Sequence, residues 1–172
     1  IGYATDLIRE GRCGRVIAGG YDELALMSYS GLSAMRAITP DIIRPFDKNR
    51  AGTMFSEGSG IVVVESLESA LARGAAIHAE VLGHAMNNDA FHMTAPDTSG
   101  KGITAVIQAA LDDAGVKPAD VQHVNAHGTG TQYNDKIETT AIKAIFNHHA
   151  YQLVITANKS IIGHTCGAAG TL

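Results

Sequence analysis

The sequence feature that most constrains the fold is a run of β-branched residues, GIVVVE, at residues 60–65. The run has no polar alternation, so it predicts a strand buried on both faces, as in a parallel sheet covered by helices. A second apolar run, at residues 15–18, leads into Gly19 and Gly20 and predicts another buried parallel strand with its backbone close to a neighbour. Such strands fold as a sheet between layers of helices.

Helical patterns alternate with these strands. Apolar residues at helical spacing, each followed by a glycine, predict helices at residues 1–10, 67–73 and 103–114. Ser66 has the residue type of an N-cap for the second of them. Residues 23–37 predict two short helical pieces broken at Gly31.

The rest of the chain continues the alternation. Further strands are predicted at residues 78–84, 121–126 and 153–157, and Asp135 with Glu138 resembles a capping box that opens a helix ending near Phe146. The polar, turn-rich segment 87–102 separates two parts of the chain. We therefore expect an α/β fold with a mostly parallel sheet, divided into residues 1–90 and 91–172.

Two histidines follow predicted strands in loops of glycine and small residues. His127 lies in NAHGTGT at residues 125–131, and His164 closes KSIIGH at residues 159–164. In parallel sheets, reactive groups lie in loops past the carboxyl ends of strands. Two neutral imidazoles that present N–H groups to one point can hold a carbonyl oxygen as it gains negative charge, which favours enolate chemistry. A single such histidine would be read as a satisfied structural side chain.

Other polar residues flank these histidines. Lys159 precedes His164, and its positive charge would disfavour protonation of both imidazoles. Asp135 is interpreted either as an N-cap or as an ion-pair partner. Thr129 and Thr131 present hydroxyls on one side of an extended segment, suited to a polar linker or to ordinary turn bonding.

Neither cysteine is predicted to be a nucleophile. Cys166 lies two residues after His164, but residues two apart at a helix start point in different directions, so we expect a small buried residue there. Cys13, in a charged turn, is also expected to be structural. The chain therefore has candidate donors for an oxyanion but no candidate nucleophile, and this absence requires an explanation.

Composition excludes several classes of protein. With 13 Lys+Arg against 17 Asp+Glu, the net charge of -4 gives no general attraction to nucleic acid or to an anionic membrane. The two cysteines fit neither a disulfide framework nor a zinc site, and the N-terminus lacks a signal-peptide pattern, so we expect a cytoplasmic protein without a metal. A phosphate- or nucleotide-binding α/β domain stays possible, although no Walker or dinucleotide motif is present.

The motifs together resemble the β-ketoacyl-[acyl carrier protein] synthases of the elongating type. The matching segments lie in the family's order at residues 17–20, 44–47, 57–60, 89–94, 125–138 and 159–170. The resemblance implies the thiolase-like layered αβαβα architecture, incomplete here, with the end of the N-terminal half and the start of the C-terminal half. It also implies that the family's cysteine nucleophile would precede Ile1, and that this chain alone is inactive.

The resemblance assigns roles to the polar residues. His127 and His164 would bind the malonyl thioester oxygen, Lys159 would orient and tune them, and Thr129, Thr131 and Thr94 would line the phosphopantetheine channel. His92 matches a position near that channel, and a structural function is equally compatible. No separate cofactor is implied, because phosphopantetheine of acyl carrier protein carries the substrates.

The implied partners are acyl carrier protein and a second copy of the full-length protein, as a homodimer. Carrier proteins are acidic, so a basic docking patch is expected, or else scattered solubilising charges. The candidates for that patch are Arg9, Arg12, Arg36, Arg44 and Lys48. An alternative to the synthase is a non-catalytic, chain-length-setting partner subunit, although such a subunit has no physical need for both histidines and the lysine.

Overall fold

Helices and strands alternate along the part of the chain that the computed structural model describes, residues 1–93 and 95–172. The helices are α1 (Gly2–Arg9), α2 (Leu26–Ala34), α3 (Leu67–Ala72), α4 (Lys101–Ala114), α5 (Gln132–Phe146) and α6 (Lys159–Ile162). The strands are β1 (Arg15–Asp22), β2 (Gly58–Glu65), β3 (His123–Asn125) and β4 (Val154–Thr156). Short 3-10 helices cover Pro118–Asp120, Asn147–Tyr151 and Cys166–Ala168. None of these described helices combines the length and the apolar character needed to cross a bilayer.

The predicted helices α1, α3 and α4 are present, with the predicted ends. The Ser66 side chain accepts a hydrogen bond from the Ser69 N–H at 3.2 Å, as an N-cap does. Gly74 and Gly115 follow α3 and α4 with φ of 65°, the left-handed conformation that ends a helix. The periodic apolar pattern and the glycine together were sufficient to place these elements.

The direction and burial predicted for β1 and β2 are wrong. The two strands pair antiparallel, from Arg15 opposite Glu65 to Asp22 opposite Gly58. Ile61 and Val63 are 61% and 58% exposed, so residues 1–172 do not by themselves cover both faces of β2. A β-branched run favours extended backbone, but it does not specify strand direction or what covers each face.

Two further predictions are corrected. Residues 78–84 form no strand, and two of their backbone groups bond to side chains: Leu82 O accepts from Arg9 at 2.7 Å, and the His84 N–H donates to Asp113 at 3.0 Å. Helix α2 runs through Gly31 without a break, and the Gly31 carbonyl accepts the Met35 N–H at 3.1 Å. Glycine lowers helix propensity without forbidding the conformation.

The core lies beneath α5 and positions both histidine loops. Strands β3 and β4 pair in parallel, with Val124 opposite Ile155. The α5 residues Ile142 and Phe146 are buried against α4 and the residues that flank the two strands. This packing fixes the ends of β3 and β4 next to each other, which is where the two loops begin.

We expect Ile142→Ala to lower the free energy of unfolding by about 2 to 5 kcal/mol, because it removes buried atoms and leaves a cavity. Ile142 is 3% exposed, whereas Ile161 is 86% exposed, so Ile161→Ala is the matched control and should change that free energy by less than about 0.5 kcal/mol. Urea unfolding followed by circular dichroism measures both. Equal effects would show that α5 does not form the core.

Candidate active site

The His127 loop begins where β3 ends. The Ala126 N–H donates to Thr156 O at 2.8 Å, which continues the pairing with β4 up to the residue before His127. Gly128 then turns the chain with φ of 47°, and a β-carbon at this position would clash with the side chain of Ala157. The imidazole is therefore presented directly past the carboxyl end of a parallel strand.

The carboxylate of Glu138 holds this loop from the first half of α5. Its two oxygens accept the backbone N–H groups of His127 at 2.6 Å and Gly128 at 2.9 Å. Glu138 is 8% exposed, so these charge-assisted bonds are shielded from water. The backbone that carries the His127 ring is fixed by this one side chain.

Asp135 makes the corresponding contacts farther along the loop. It is not the N-cap, which is Thr131. Its carboxylate reaches back to accept the Gly130 N–H at 3.1 Å and the Phe46 N–H at 2.7 Å, and it lies 3.9 Å from the Arg50 guanidinium. Asp135 thus satisfies backbone donors and is an ion-pair partner of Arg50, and no ion pair between Asp135 and Lys159 occurs among the described residues.

The His164 loop is held by an extended segment from the N-terminal part of the chain. The His164 N–H donates to Met54 O at 2.8 Å, and the His164 carbonyl accepts the Ser56 N–H at 3.2 Å. Gly163 precedes the histidine with φ of 75°, and a β-carbon there would clash with Ser56. The backbone of His164 is therefore bonded on both sides.

The tautomer of His164 follows from its hydrogen bond. The Cys166 backbone N–H donates to His164 Nδ1 at 3.2 Å. A neutral imidazole has one donor and one acceptor nitrogen, so Nδ1 is the acceptor and Nε2 carries the proton. The ring can therefore donate a hydrogen bond from Nε2.

The two imidazoles face the same cavity. Their centroids lie 5.4 Å apart with the planes at 83°, an edge-to-face arrangement. The cavity has a volume of about 470 Å³, and its lining residues include His127, Lys159, His164 and Cys166. The structure thus brings together the three residues that the sequence analysis proposed as catalytic.

Burial and Lys159 keep both rings neutral. Loss of water around the ring and the nearby Lys159 charge lower the pKa of His127. The same two causes, in that order, lower the pKa of His164 from 6.5 to about 4. The unfolded chain therefore takes up the His164 proton first, and this histidine makes the folded chain less stable as the pH falls from about 6.5 towards 4.

Lys159 is 7% exposed, and burial lowers its pKa while the negative charge of Glu138 raises it. Among residues 1–93 and 95–172, no carboxylate lies within ion-pair distance of its ammonium. A buried ammonium that faces a cavity is available to a ligand oxygen. The arrangement offers N–H donors and one positive charge to an oxygen that gains negative charge.

The threonines are placed differently from the histidines. Thr129 and Thr131 lie on the same side of the loop, and their hydroxyl oxygens are 2.9 Å apart, but neither belongs to the described cavity walls. Thr94 lies outside the described residues. Cys166 is exposed, which corrects the expectation of a buried residue, and Cys13 is exposed as well.

Sequence reasoning missed Glu138 and Arg50 as parts of the site. Glu138 was interpreted as a member of a capping box and as part of the matching segment 125–138, without a function in the site, yet it lies on the buried face of α5, one turn before Ile142. A carboxylate on an apolar helix face is the signal that could have identified it. Arg50 donates to Thr131 O at 3.1 Å and Gln132 O at 3.0 Å, and no sequence pattern indicated that contact.

Comparison with known families decides the classification. Residues 78–172 match the family model described as "Beta-ketoacyl synthase, C-terminal domain", and residues 1–70 match "Beta-ketoacyl synthase, N-terminal domain". The chain belongs to the beta-ketoacyl synthase family. Its fold is the thiolase-like α/β fold of these synthases, of which the chain contains a part.

Individual relatives agree with this classification. The chain is 45% identical to 3-oxoacyl-[acyl-carrier-protein] synthase 2 of Synechocystis sp., over 99% of this chain and 42% of that protein. It superposes on the ishigamide ketosynthase/chain length factor with a TM-score of 0.93 and 46% identity, covering 99% and 41% of the two chains. A type II PKS ketosynthase in complex with its acyl-carrier protein gives a TM-score of 0.94 and 35% identity, covering 99% and 44%. The chain thus spans less than half the length of these synthases.

We expect Glu138→Gln to lower the free energy of unfolding by about 1 to 3 kcal/mol, because the amide replaces one of two acceptor oxygens and leaves a backbone N–H of the His127 loop unsatisfied. Exposed Glu80 is the matched control, and Glu80→Gln should change that free energy by less than about 0.5 kcal/mol. Chemical denaturation measures both variants. If Glu138→Gln is as stable as the control, the carboxylate does not hold the loop.

We expect Lys159→Met to raise the pKa of His164 above about 4, because it removes a positive charge that disfavours protonation. The pKa should stay below 6.5, since burial is the larger cause of its lowering. NMR titration of the imidazole resonances measures this pKa. Lys143, whose ammonium lies 5.6 Å from the centre of the Tyr151 ring, provides the control Lys143→Met, which should leave the pKa unchanged. An unaltered His164 pKa in Lys159→Met would refute the coupling.

Proposed function

We propose that this chain forms the malonyl-binding half of the active site of a 3-oxoacyl-[acyl carrier protein] synthase in fatty acid or polyketide biosynthesis. The observation that carries the proposal is the pair of neutral imidazoles that faces one cavity together with Lys159. Membership of the beta-ketoacyl synthase family supports an acyltransferase activity for the full-length protein.

The proposed reaction is a decarboxylative Claisen condensation. The bond between the malonyl carboxylate and the methylene carbon breaks, carbon dioxide leaves, and the electron pair forms an enolate of the thioester. His127 and His164 donate hydrogen bonds to the enolate oxygen as its negative charge develops. The enolate carbon then attacks the carbonyl carbon of an acyl group held as a thioester, and the thiolate leaves.

Lys159 contributes electrostatically. The burial of the rings and the positive charge of Lys159 keep both imidazoles neutral. His164 therefore has an N–H available for donation, and the site carries no imidazolium charges that repel each other. His164 remains neutral down to a pH of about 4. The donor geometry is therefore retained across the physiological pH range.

The proposed substrate carrier is the phosphopantetheine arm of acyl carrier protein, and no separate cofactor takes part. A solved relative is a ketosynthase in complex with its acyl-carrier protein, which supports this partner. Thr94, Thr129 and Thr131 would line the channel for the arm. A basic patch on the surface would receive the acidic carrier.

The acyl half of the reaction requires a nucleophile that we do not assign to either cysteine of this chain. Burial and the carboxylate of Asp22 raise the pKa of the Cys166 thiol, so it holds little thiolate at neutral pH. We propose that the nucleophile belongs to a longer protein and that residues 1–172 alone do not catalyse the condensation. In that protein, residues 1–90 and 91–172 would belong to the two halves of a homodimeric synthase.

A second candidate function is that of a chain-length-setting partner subunit. A solved relative carries the name ketosynthase/chain length factor, and this similarity is the observation in its favour. Both functions use the same fold, but a partner subunit needs neither imidazole donors nor Lys159. The codons upstream of Ile1 discriminate the two, because a cysteine supports the synthase and a glutamine supports the partner.

We expect His127→Ala in the full-length protein to reduce decarboxylation of malonyl-acyl carrier protein by about a hundredfold, because one oxyanion donor is lost. Release of radiolabelled carbon dioxide measures this rate. His148, exposed in the 3-10 helix Asn147–Tyr151, provides the control His148→Ala, which should keep the wild-type rate. Near-normal decarboxylation by His127→Ala would refute the assigned function of this histidine.

A further inference from the structure

A free thiol lies in the wall of the cavity that the two histidines share. Cys166 is exposed and begins the 3-10 helix Cys166–Ala168. It has φ of 39°, a left-handed conformation that is unusual for a residue with a β-carbon. The hydrogen bond from its N–H to His164 Nδ1 helps to hold this conformation, and its Sγ lies 4.0 Å from the carbonyl oxygen of His164.

An independent feature of the same cavity indicates that a ligand enters it. Lys159 is more than nine-tenths buried and lines the cavity, and no hydrogen bond or ion pair to its ammonium occurs among the described residues. The ammonium nitrogen is not among the described buried polar atoms that lack a partner, so it is open to the cavity and would meet a ligand oxygen there. A ligand bound to Lys159 would lie in the space that also contacts Cys166.

Because of its environment, the Cys166 thiol is expected to react mainly with a ligand that binds in the cavity. Burial and the Asp22 carboxylate raise the pKa of the thiol, whereas the Lys159 charge lowers it by less. A thiol with a raised pKa reacts slowly with free small reagents, because the thiolate is the attacking species. A ligand that holds a reactive sulfur in the cavity overcomes this by raising the local concentration of that sulfur.

We propose that Cys166 captures the thiol end of a pantetheine-type arm as a mixed disulfide when the arm arrives as a disulfide. This inference rests on the proposed function, which brings a phosphopantetheine arm to this cavity. The captured arm would fill the space between Lys159 and the two imidazoles. Capture would therefore block the malonyl half of the site until a thiol reduces the bond.

The chemistry is a thiol–disulfide exchange. The Cys166 thiol loses its proton to solvent, and its sulfur attacks one sulfur of the disulfide. The old S–S bond breaks, a new S–S bond forms to Cys166, and the other half leaves as a thiolate that takes a proton from water. One thiol is consumed and one is formed, so no further oxidant is needed.

The test uses Cys13 of the same chain as the internal control, because it is also free and exposed. The 172-residue chain is treated with pantethine, the disulfide of pantetheine, or with hydroxyethyl disulfide, and modification of each cysteine is followed by peptide mass spectrometry. We expect the ratio of the Cys166 modification rate to the Cys13 modification rate to be about tenfold or more higher with pantethine than with hydroxyethyl disulfide. The Cys166 rate should saturate with pantethine concentration, and S-methyl-pantetheine should protect Cys166 but not Cys13.

Equal rate ratios with the two disulfides, absence of saturation, or no modification of Cys166 would each overturn the inference. Cys166→Ala should remove the saturable modification and leave the Cys13 rate unchanged. The labelling requires no turnover, so its failure differs from failure of the proposed function. If pantethine does not label Cys166 selectively but His127→Ala is defective in decarboxylation, only the capture site is refuted. If pantethine labels Cys166 selectively but His127→Ala decarboxylates at the normal rate, only the assigned catalysis is refuted.

Discussion

The two buried carboxylates of α5 are the contacts on which the rest of the site depends. Glu138 accepts the N–H groups of His127 and Gly128, and Asp135 accepts those of Gly130 and Phe46. Loop backbone that is not in a ladder must still satisfy its N–H groups, and two ionised side chains on one helix do so here. Because α5 is itself packed into the core, these carboxylates tie the loop to a rigid part of the chain.

The charges of the site are balanced so that the imidazoles stay neutral. The negative charge of Glu138 acts on His127 in the opposite direction to the positive charge of Lys159, and burial adds to the effect of Lys159. Without Lys159, the charge of Glu138 would bring the pKa of His127 closer to its ordinary value, although burial, the largest cause, would still lower it. The lysine therefore supports the donor function of the rings through its charge.

Much of this arrangement could be predicted from sequence, for identifiable reasons. Local patterns specify local structure, so the apolar period of α4, the Ser66 cap and the position of His127 past the end of β3 were predicted correctly. The short helix α6 separates β4 from His164, so the prediction that this histidine lies directly past a strand is wrong. The direction of β2 and the missing strand at residues 78–84 depend on partners distant in sequence, which periodicity does not encode. The same limit explains why Glu138 was misinterpreted: its acceptor function becomes visible only when α5 packs beneath the loop. The catalytic assignments of His127, His164 and Lys159 stay predictions.

Both histidine loops are braced from one stretch of the N-terminal part of the chain, residues 44–56. Near one end of that stretch, Phe46 and Arg50 bond to Asp135 and to Thr131 O, which hold the His127 loop. At the other end, the backbone on either side of Phe55 bonds to both sides of His164. This stretch matches the N-terminal family model, whereas both histidines match the C-terminal one. The residues that line the cavity all belong to the C-terminal segment, but this N-terminal stretch holds the backbone of both loops.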